Sequence, residues 1–366
     1  MRGLSLSLAS TGLVLTGLVL GMTAAPAARG EEVVRTIRAE LPAGTPRFSV
    51  ENLVGTMRIQ EADVSAVTAV ATVYAESQQL ADAVRFEPVS GEPATLRVRY
   101  PYDRIGTFHY REPGDHGDGL WLNFSSSSSY SYDGRTVKVN PGHGTRIHTE
   151  VEVRVPRGET AARFKNLVGL VEAEGLRGSL RFEVASADLR LLRLEGSVEL
   201  EGSSGDIRAR DIKGTWKSDF SSGDVRLDGF EGQSLELHAS SGDFAIRNVK
   251  AAKILTETNS GDVRFLDADV EEFTAEATSG DVELEDVGAR LKSVDVTTSS
   301  GDVTLRLPSD ATFDASARQS SGAMSVGFRD GVSVERHDSL VGYRRGDHGT
   351  QIRIRTSSGD HSISPI

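Results

Sequence analysis

A short motif, Ser-Gly-Asp followed by an apolar residue, returns about every nineteen residues between positions 202 and 301. It reads EGSSGDIRA, SDFSSGDVRL, HASSGDFAI, TETNSGDVRF, AEATSGDVEL and TTSSGDVTL. A fixed period in this range specifies stacked supersecondary units, each touching its neighbours, and not a globule with one centre.

The motif glycines Gly205, Gly223, Gly242, Gly261, Gly280 and Gly301 set a common frame. Two places after them stand Ile207, Val225, Phe244, Val263, Val282 and Val303. Four places after stand Ala209, Leu227, Ile246, Phe265, Leu284 and Leu305, and seven before stand Val198, Trp216, Leu235, Ile254, Phe273 and Val294. Apolar spacing of two is the strand period with one face buried. Each repeat is therefore predicted to hold two short strands joined through the Ser-Gly-Asp turn, with a second corner beyond the apolar residue seven places on. A glycine beside Asp and Ser in every unit excludes a helical repeat. One such unit cannot bury its apolar row alone, but stacked units can. The fold class is all-β: a parallel, β-helix-like solenoid of about ten coils with repeats of about 19 residues, strands lying about 4.8 Å apart. Weaker copies around Gly55, Gly169, Ala187, Gly322 and Gly359 extend the series, so the rod is predicted to be about 50 Å long.

Residues 1–28 read as a secretory signal peptide: Arg2, an apolar run from Leu4 to Met22, then small residues to Ala28. Residues 29–62 hold the first strands and first coil, and 157–366 the solenoid repeats. Between them, 63–156 reads as a strand-rich antiparallel insertion. It holds one short helix around 76–84 and a Ser/Gly/aromatic loop within 103–144. A second loop-like insertion is expected at 327–350. The chain has no cysteine, so disulfides are excluded. A formal net charge of −12 argues against nucleic-acid binding, and no basic cluster after the apolar run marks a membrane span that would remain once the signal is cleaved.

The signal peptide, the NLVGTM-type first coil, the strand-rich insert, V-x-V-P at Val153 to Pro156 and the many S-S-G-D coils together resemble the bacterial "putative adhesin" family of β-strand-repeat proteins. The resemblance covers about 31–366 and implies the solenoid fold. It defines no catalytic or binding residues, since the family is a domain of unknown function.

Three sets of side chains could carry chemistry. Stacking in register places Asp206, Asp224, Asp243, Asp262, Asp281, Asp302 and Asp360 in one column. These carboxylates either accept backbone N–H bonds in their turns or form a ladder of Ca²⁺ sites; one Asp per coil is few for calcium. Outward positions carry a basic row at Arg190, Arg208, Arg226 and Arg264, and an acidic row at Glu183, Glu201, Asp219, Glu257 and Glu276. In the insert, Trp121, Phe124, Tyr130 and Tyr132 flank Ser125 to Ser129 and suit either contact with sugar or protein, or packing on the solenoid. His109, His116, His143 and His148 with Asp115 and Asp118 lack the spacing of a metal site. No nucleophile elbow, phosphate loop, zinc-protease motif or cofactor motif is present. The sequence thus points to an exported, non-enzymatic protein of the periplasm or cell surface. It would serve adhesion or envelope structure, with a cell-envelope or surface protein or glycan as partner. The alternatives are an envelope-stress partner binding cationic peptides on the acidic row, and a polysaccharide-acting β-helix enzyme.

Overall fold

The computed structural model describes residues 32–89, 91–110, 127–335, 340–347 and 349–366; the leader at 1–28 lies outside them. The repeat region is a parallel solenoid whose coils pair in register from end to end. Strands Val225–Ser241, Phe244–Ser260 and Val263–Ser279 pair along their whole length, Val225 opposite Phe244 and Phe244 opposite Val263. Each of these central coils is therefore one long strand broken at Gly-Asp, whereas the coils after Gly280 and Gly301 hold the two short strands predicted, Val282–Val287 with Ser293–Ser300 and Val303–Leu307 with Phe313–Ser321. At the other corners the pairing skips single residues, such as Gly229 opposite Asn248, and resumes. The inward columns are closed to solvent: Val263 and Phe265 are each 1% exposed, and Ala268 and Ala275 are 0%. Burying one such large apolar side chain contributes about 1.5–3 kcal/mol, and the stack repeats this in every coil.

Two further corners shape the coil. One lies six places after the motif glycine, before the apolar residue seven places on, where no corner was predicted. Asp211, Asn248, Asp267 and Asp286 take φ of 52–55° there. Asp and Asn tolerate this left-handed conformation better than other residues with a Cβ. The other lies nine places after the motif position, beyond the apolar residue at seven as expected, and is a second glycine column, Gly178, Gly196, Gly214 and Gly232, that the sequence reading did not single out. There a Cβ on Gly196 would lie 2.2 Å from the Gly178 carbonyl oxygen. The register shifts between Gly214 and Thr215, where Gln233 adds a residue to the facing coil. Coils of eighteen residues thus become coils of nineteen. From there on the corner position turns inward and is filled by Ala251 and Val270, at 1% and 0% exposure.

Neither end of the stack is an open parallel edge. At the N-terminal end, Arg47–Ala62 is covered by Glu159–Glu174 on one side. On the other side Ala94–Arg99 and Thr145–Pro156 share it. Thr68–Ala75 and Val33–Glu40 then add antiparallel strands, and Arg85–Val89 pairs antiparallel with Ala94–Arg99. The short helix Gln78–Ala83 starts at Ser77, whose hydroxyl accepts from the Leu80 amide. The repeated Asn-Leu-Val-Gly sequence stacks on itself here: Asn52 Nδ2 donates to Asn166 Oδ1 at 2.8 Å, and Asn166 Nδ2 to the Gly55 carbonyl at 2.9 Å. Tyr100 and Thr149 hydroxyls donate to Asn52 Oδ1, each at 2.8 Å. Both asparagines are fully buried, so this network must be closed, and these partners close it.

At the other end the spatial order departs from the chain order. Ser293–Ser300 pairs with Thr350–Ser358, which pairs in turn with Phe313–Ser321. The coil of Gly359 thus lies between those of Gly301 and Gly322. The stretch expected to be loop-like holds a hairpin, Val332–Glu335 with Leu340–Arg345. Its second strand runs antiparallel along Phe313–Arg318 and covers that stretch of the outer edge.

Candidate interaction surface

In-register stacking places equivalent side chains of successive coils about 4.8 Å apart. Carboxylates at that spacing repel by about 1 kcal/mol per pair in water, and the structure shows what offsets it. The Asp206 amide donates to Asp188 Oδ1 at 2.9 Å, Asp224 to Asp206 at 3.2 Å, and Asp243 to Asp224 at 3.1 Å. The series continues through Asp262, Asp281, Asp302 and Asp360 at 2.8–3.0 Å and ends where the Ala323 amide donates to Asp360 Oδ1 at 2.9 Å. Each side chain therefore accepts from the next coil and not from its own turn. Some second oxygens meet arginine two places on: Arg226 reaches Asp224 Oδ2 at 2.9 Å and Arg264 reaches Asp262 Oδ2 at 3.0 Å. Burial pushes the Asp188 carboxyl, at the head of the ladder, above the usual range. The column is thus built as a backbone clamp, and among the described residues no group of three or more His, Asp or Glu could hold a metal. Asp262→Asn, which keeps the accepting oxygen, is expected to change stability by no more than about 0.5 kcal/mol. Asp262→Ala orphans the Asp281 amide and is expected to cost about 1–3 kcal/mol, read from urea unfolding.

The basic row is longer than the repeats alone suggest. Glu152, Arg58, Glu172, Arg190, Arg208, Arg226 and Ala245 face one another strand by strand. Two residues on, Arg154, Gln60, Glu174, Leu192, Arg210, Asp228 and Arg247 form a parallel row. Together they line an open groove of about 1150 Å³. Some charges are matched within it: Arg58 pairs with Glu172 at 2.9 Å, and Arg190 with the same carboxylate at 3.3 Å. The acidic row is broken at its ends by Lys165 and Arg355, and within it Glu257 pairs with His238 at 2.9 Å. Arg58 and Arg154 escape sequence reading because register across the insertion is needed to align them.

The aromatic candidates divide. Trp121 and Phe124 lie outside the described residues. Tyr132 is 2% exposed, and its hydroxyl donates to the Val98 and Glu51 carbonyls at 2.9 and 3.1 Å. It is a plug of the N-terminal cap, and burial raises its phenol well above the ordinary value. Tyr130 is half-buried and donates to Ser186 Oγ at 2.9 Å, fastening its hairpin to the solenoid. Of the histidines, His148 is stacked on Tyr74 at 4.9 Å, and His109 Nε2 lies 3.0 Å from the Pro141 carbonyl.

The model of the family described as Toastrack DUF4097 matches residues 112–364. The chain belongs to this family. The Toastrack chain also resembles solved structures at low identity. A "putative adhesin" from Parabacteroides merdae is 11% identical, with 91% of this chain and 96% of that one covered at a TM-score of 0.41. A "putative adhesin" from Bacteroides fragilis is 12% identical, covering 91% and 97% at a TM-score of 0.36. A "putative lipid binding protein" from Parabacteroides distasonis is 10% identical, covering 91% and 97% at 0.38. No curated protein matches the sequence. The described residues contain no helix long and apolar enough to cross a membrane.

Proposed function

We propose that this Toastrack protein is exported and acts, without catalysis, as an attachment element of the cell envelope or cell surface. The observation that carries the reading is the in-register repetition of outward side chains along a capped, rigid stack. Such a surface offers many equivalent shallow contacts, each weak, whose sum is set by how many engage at once. The charged groups are distributed along the rod and do not converge on one point, as a hydrolytic site on a solenoid requires. The apolar run and small residues before position 29 support export.

The full chain, produced in a bacterial host with residues 1–28 in place, is expected outside the cytoplasm with a mass beginning near residue 29. An uncleaved chain in the cytosol would sink the export reading. Beads carrying many copies should hold to polysaccharide-coated surfaces that release single chains. Release of reducing ends from any glycan would replace attachment by catalysis.

A further inference from the structure

We infer that the arginine groove binds a linear anionic polysaccharide. Seven arginines line it, Arg58, Arg190, Arg208 and Arg226 in one row and Arg154, Arg210 and Arg247 in the other, against four acids: Glu152, Glu172, Glu174 and Asp228. This surplus of positive charge stands on a chain whose formal net charge is −12. It is therefore a local feature, set against the overall field. The internal pairing is also incomplete. Arg58 bridges Glu172 and Glu150, Arg190 shares Glu172, Arg208 and Arg226 meet Asp206 and Asp224 at the rim, and Arg210 lies 3.9 Å from Asp228, which leaves the two ends of the second row. Arg154 and Arg247 are exposed and meet no acid within ion-pair distance among the described residues. They stand at opposite ends of the same row.

Length and shape select the ligand. The rows cross seven strands, a run of about 29 Å at the usual strand spacing. The groove is open and shallow, so a lone carboxylate or phosphate would meet one or two guanidinium groups and remain largely hydrated. An extended polymer with charges at intervals can engage both ends and the middle together. No aromatic side chain lines the groove, so it lacks the stacking platform that holds single-stranded nucleic acid. Nor does it adjoin an exposed apolar side chain: the exposed large hydrophobics, such as Val34 and Val332, belong to the end caps. This disfavours a lipid surface. Guanidinium forks match carboxylate and sulfate oxygens alike, so either group can carry the charge.

The inference deepens the attachment reading, but it is tested on the purified full chain, so failure of export would leave it standing. Dextran sulfate and polygalacturonate serve as sulfated and carboxylated probes, with unsubstituted dextran as the neutral one. The chain is expected to bind at least one charged probe at low salt, to ignore dextran, and to release in 0.5 M NaCl, a salt concentration of the order that screens such contacts. The double variant Arg154→Gln, Arg247→Gln should bind about tenfold more weakly or worse. Lys213→Gln with Lys250→Gln, the same charge change away from the groove, should bind within about twofold of the parent. Unchanged circular dichroism and melting would show that both variants fold. Failure to bind either charged probe, or equal losses in the two variants, would overturn the proposal. Equal binding to phosphatidylglycerol vesicles or to a single-stranded oligonucleotide would overturn the assignment to a polysaccharide.

Discussion

Gly261→Ala is expected to destabilise the solenoid by about 4 kcal/mol or more, at the upper end of single-residue effects. Two penalties coincide at this position. The backbone holds φ at +135°, a region that side chains rarely adopt and that costs on the order of 1–3 kcal/mol to impose. In addition, a Cβ on Gly261 would lie 2.1 Å from the Gly242 carbonyl oxygen and 2.6 Å from its carbonyl carbon. Backbone cannot swing aside like a flexible side chain, so the two coils must part, and the Asp262-to-Asp243 clamp beside them parts as well. Gly158→Ala separates the two penalties. Its φ is +119°, yet nothing lies within 4 Å of the added carbon, so only the conformational cost of about 1–3 kcal/mol is expected. Chemical unfolding of both variants checks the argument. Equal losses would mean that close approach between coils is not what requires glycine in the motif.

That requirement was legible from the sequence only in part. Glycine in every repeat signals a special backbone angle, and a period of two among Val263, Phe265 and their equivalents identifies the buried face. Both are properties of a single repeat. What sequence reading missed lies between repeats. The Asp side chain suits a local turn, and nothing within one unit shows that its acceptor oxygen serves the next coil. The change from eighteen to nineteen residues at Gln233 is visible as a count, but its consequence, an inward Ala251 in place of a corner glycine, needs the neighbouring strand. The same holds for the Asn52–Asn166 pair, whose members stand in two Asn-Leu-Val-Gly copies separated by the whole insertion. One signal for the C-terminal arrangement was present. Ser320-Ser321-Gly322 is followed by Ala323 where the other late repeats carry Asp. In the structure Ala323 donates its amide but has no further parallel coil whose amide would need a carboxylate. The repeat that lacks the clamp is the one at the end of the stack.

Removing residues 350–366 should therefore damage the molecule far more than trimming one terminal repeat would. This segment is not an outer coil. On one face Ile352, Ile354 and Ile363 lie opposite Val294, Val296 and Leu305, and on the other Ile352 and Ile354 lie opposite Ala315 and Ala317. All three isoleucines are at most 1% exposed, and at about 1.5–3 kcal/mol for each buried side chain their loss alone approaches the stability of an ordinary domain. The backbone loses as much in kind: the Val303 amide donates to the Asp360 carbonyl at 3.0 Å, and the Asp360 amide to Asp302 Oδ1 at 2.8 Å. The strand Phe313–Ser321 and its covering hairpin would lose the parallel strand they stand on. The shortened chain is expected to melt more than about 10 °C lower, to bind a hydrophobic dye and to self-associate through the exposed edge. A peptide of residues 350–366 added in excess should enter the gap as a strand and restore the melting point, as an extended segment does on any open sheet edge. The same peptide carrying Ile354→Asp should not, because its charge would be buried without a partner. A truncated chain that melts like the parent would show that Phe313–Ser321 can dock directly on Ser293–Ser300. The two coils share the Ser-Ser-Gly corner, so the interposed segment also excludes that competing register, and folding must bring together residues 58 apart in sequence, such as Val294 and Ile352, before the end can close.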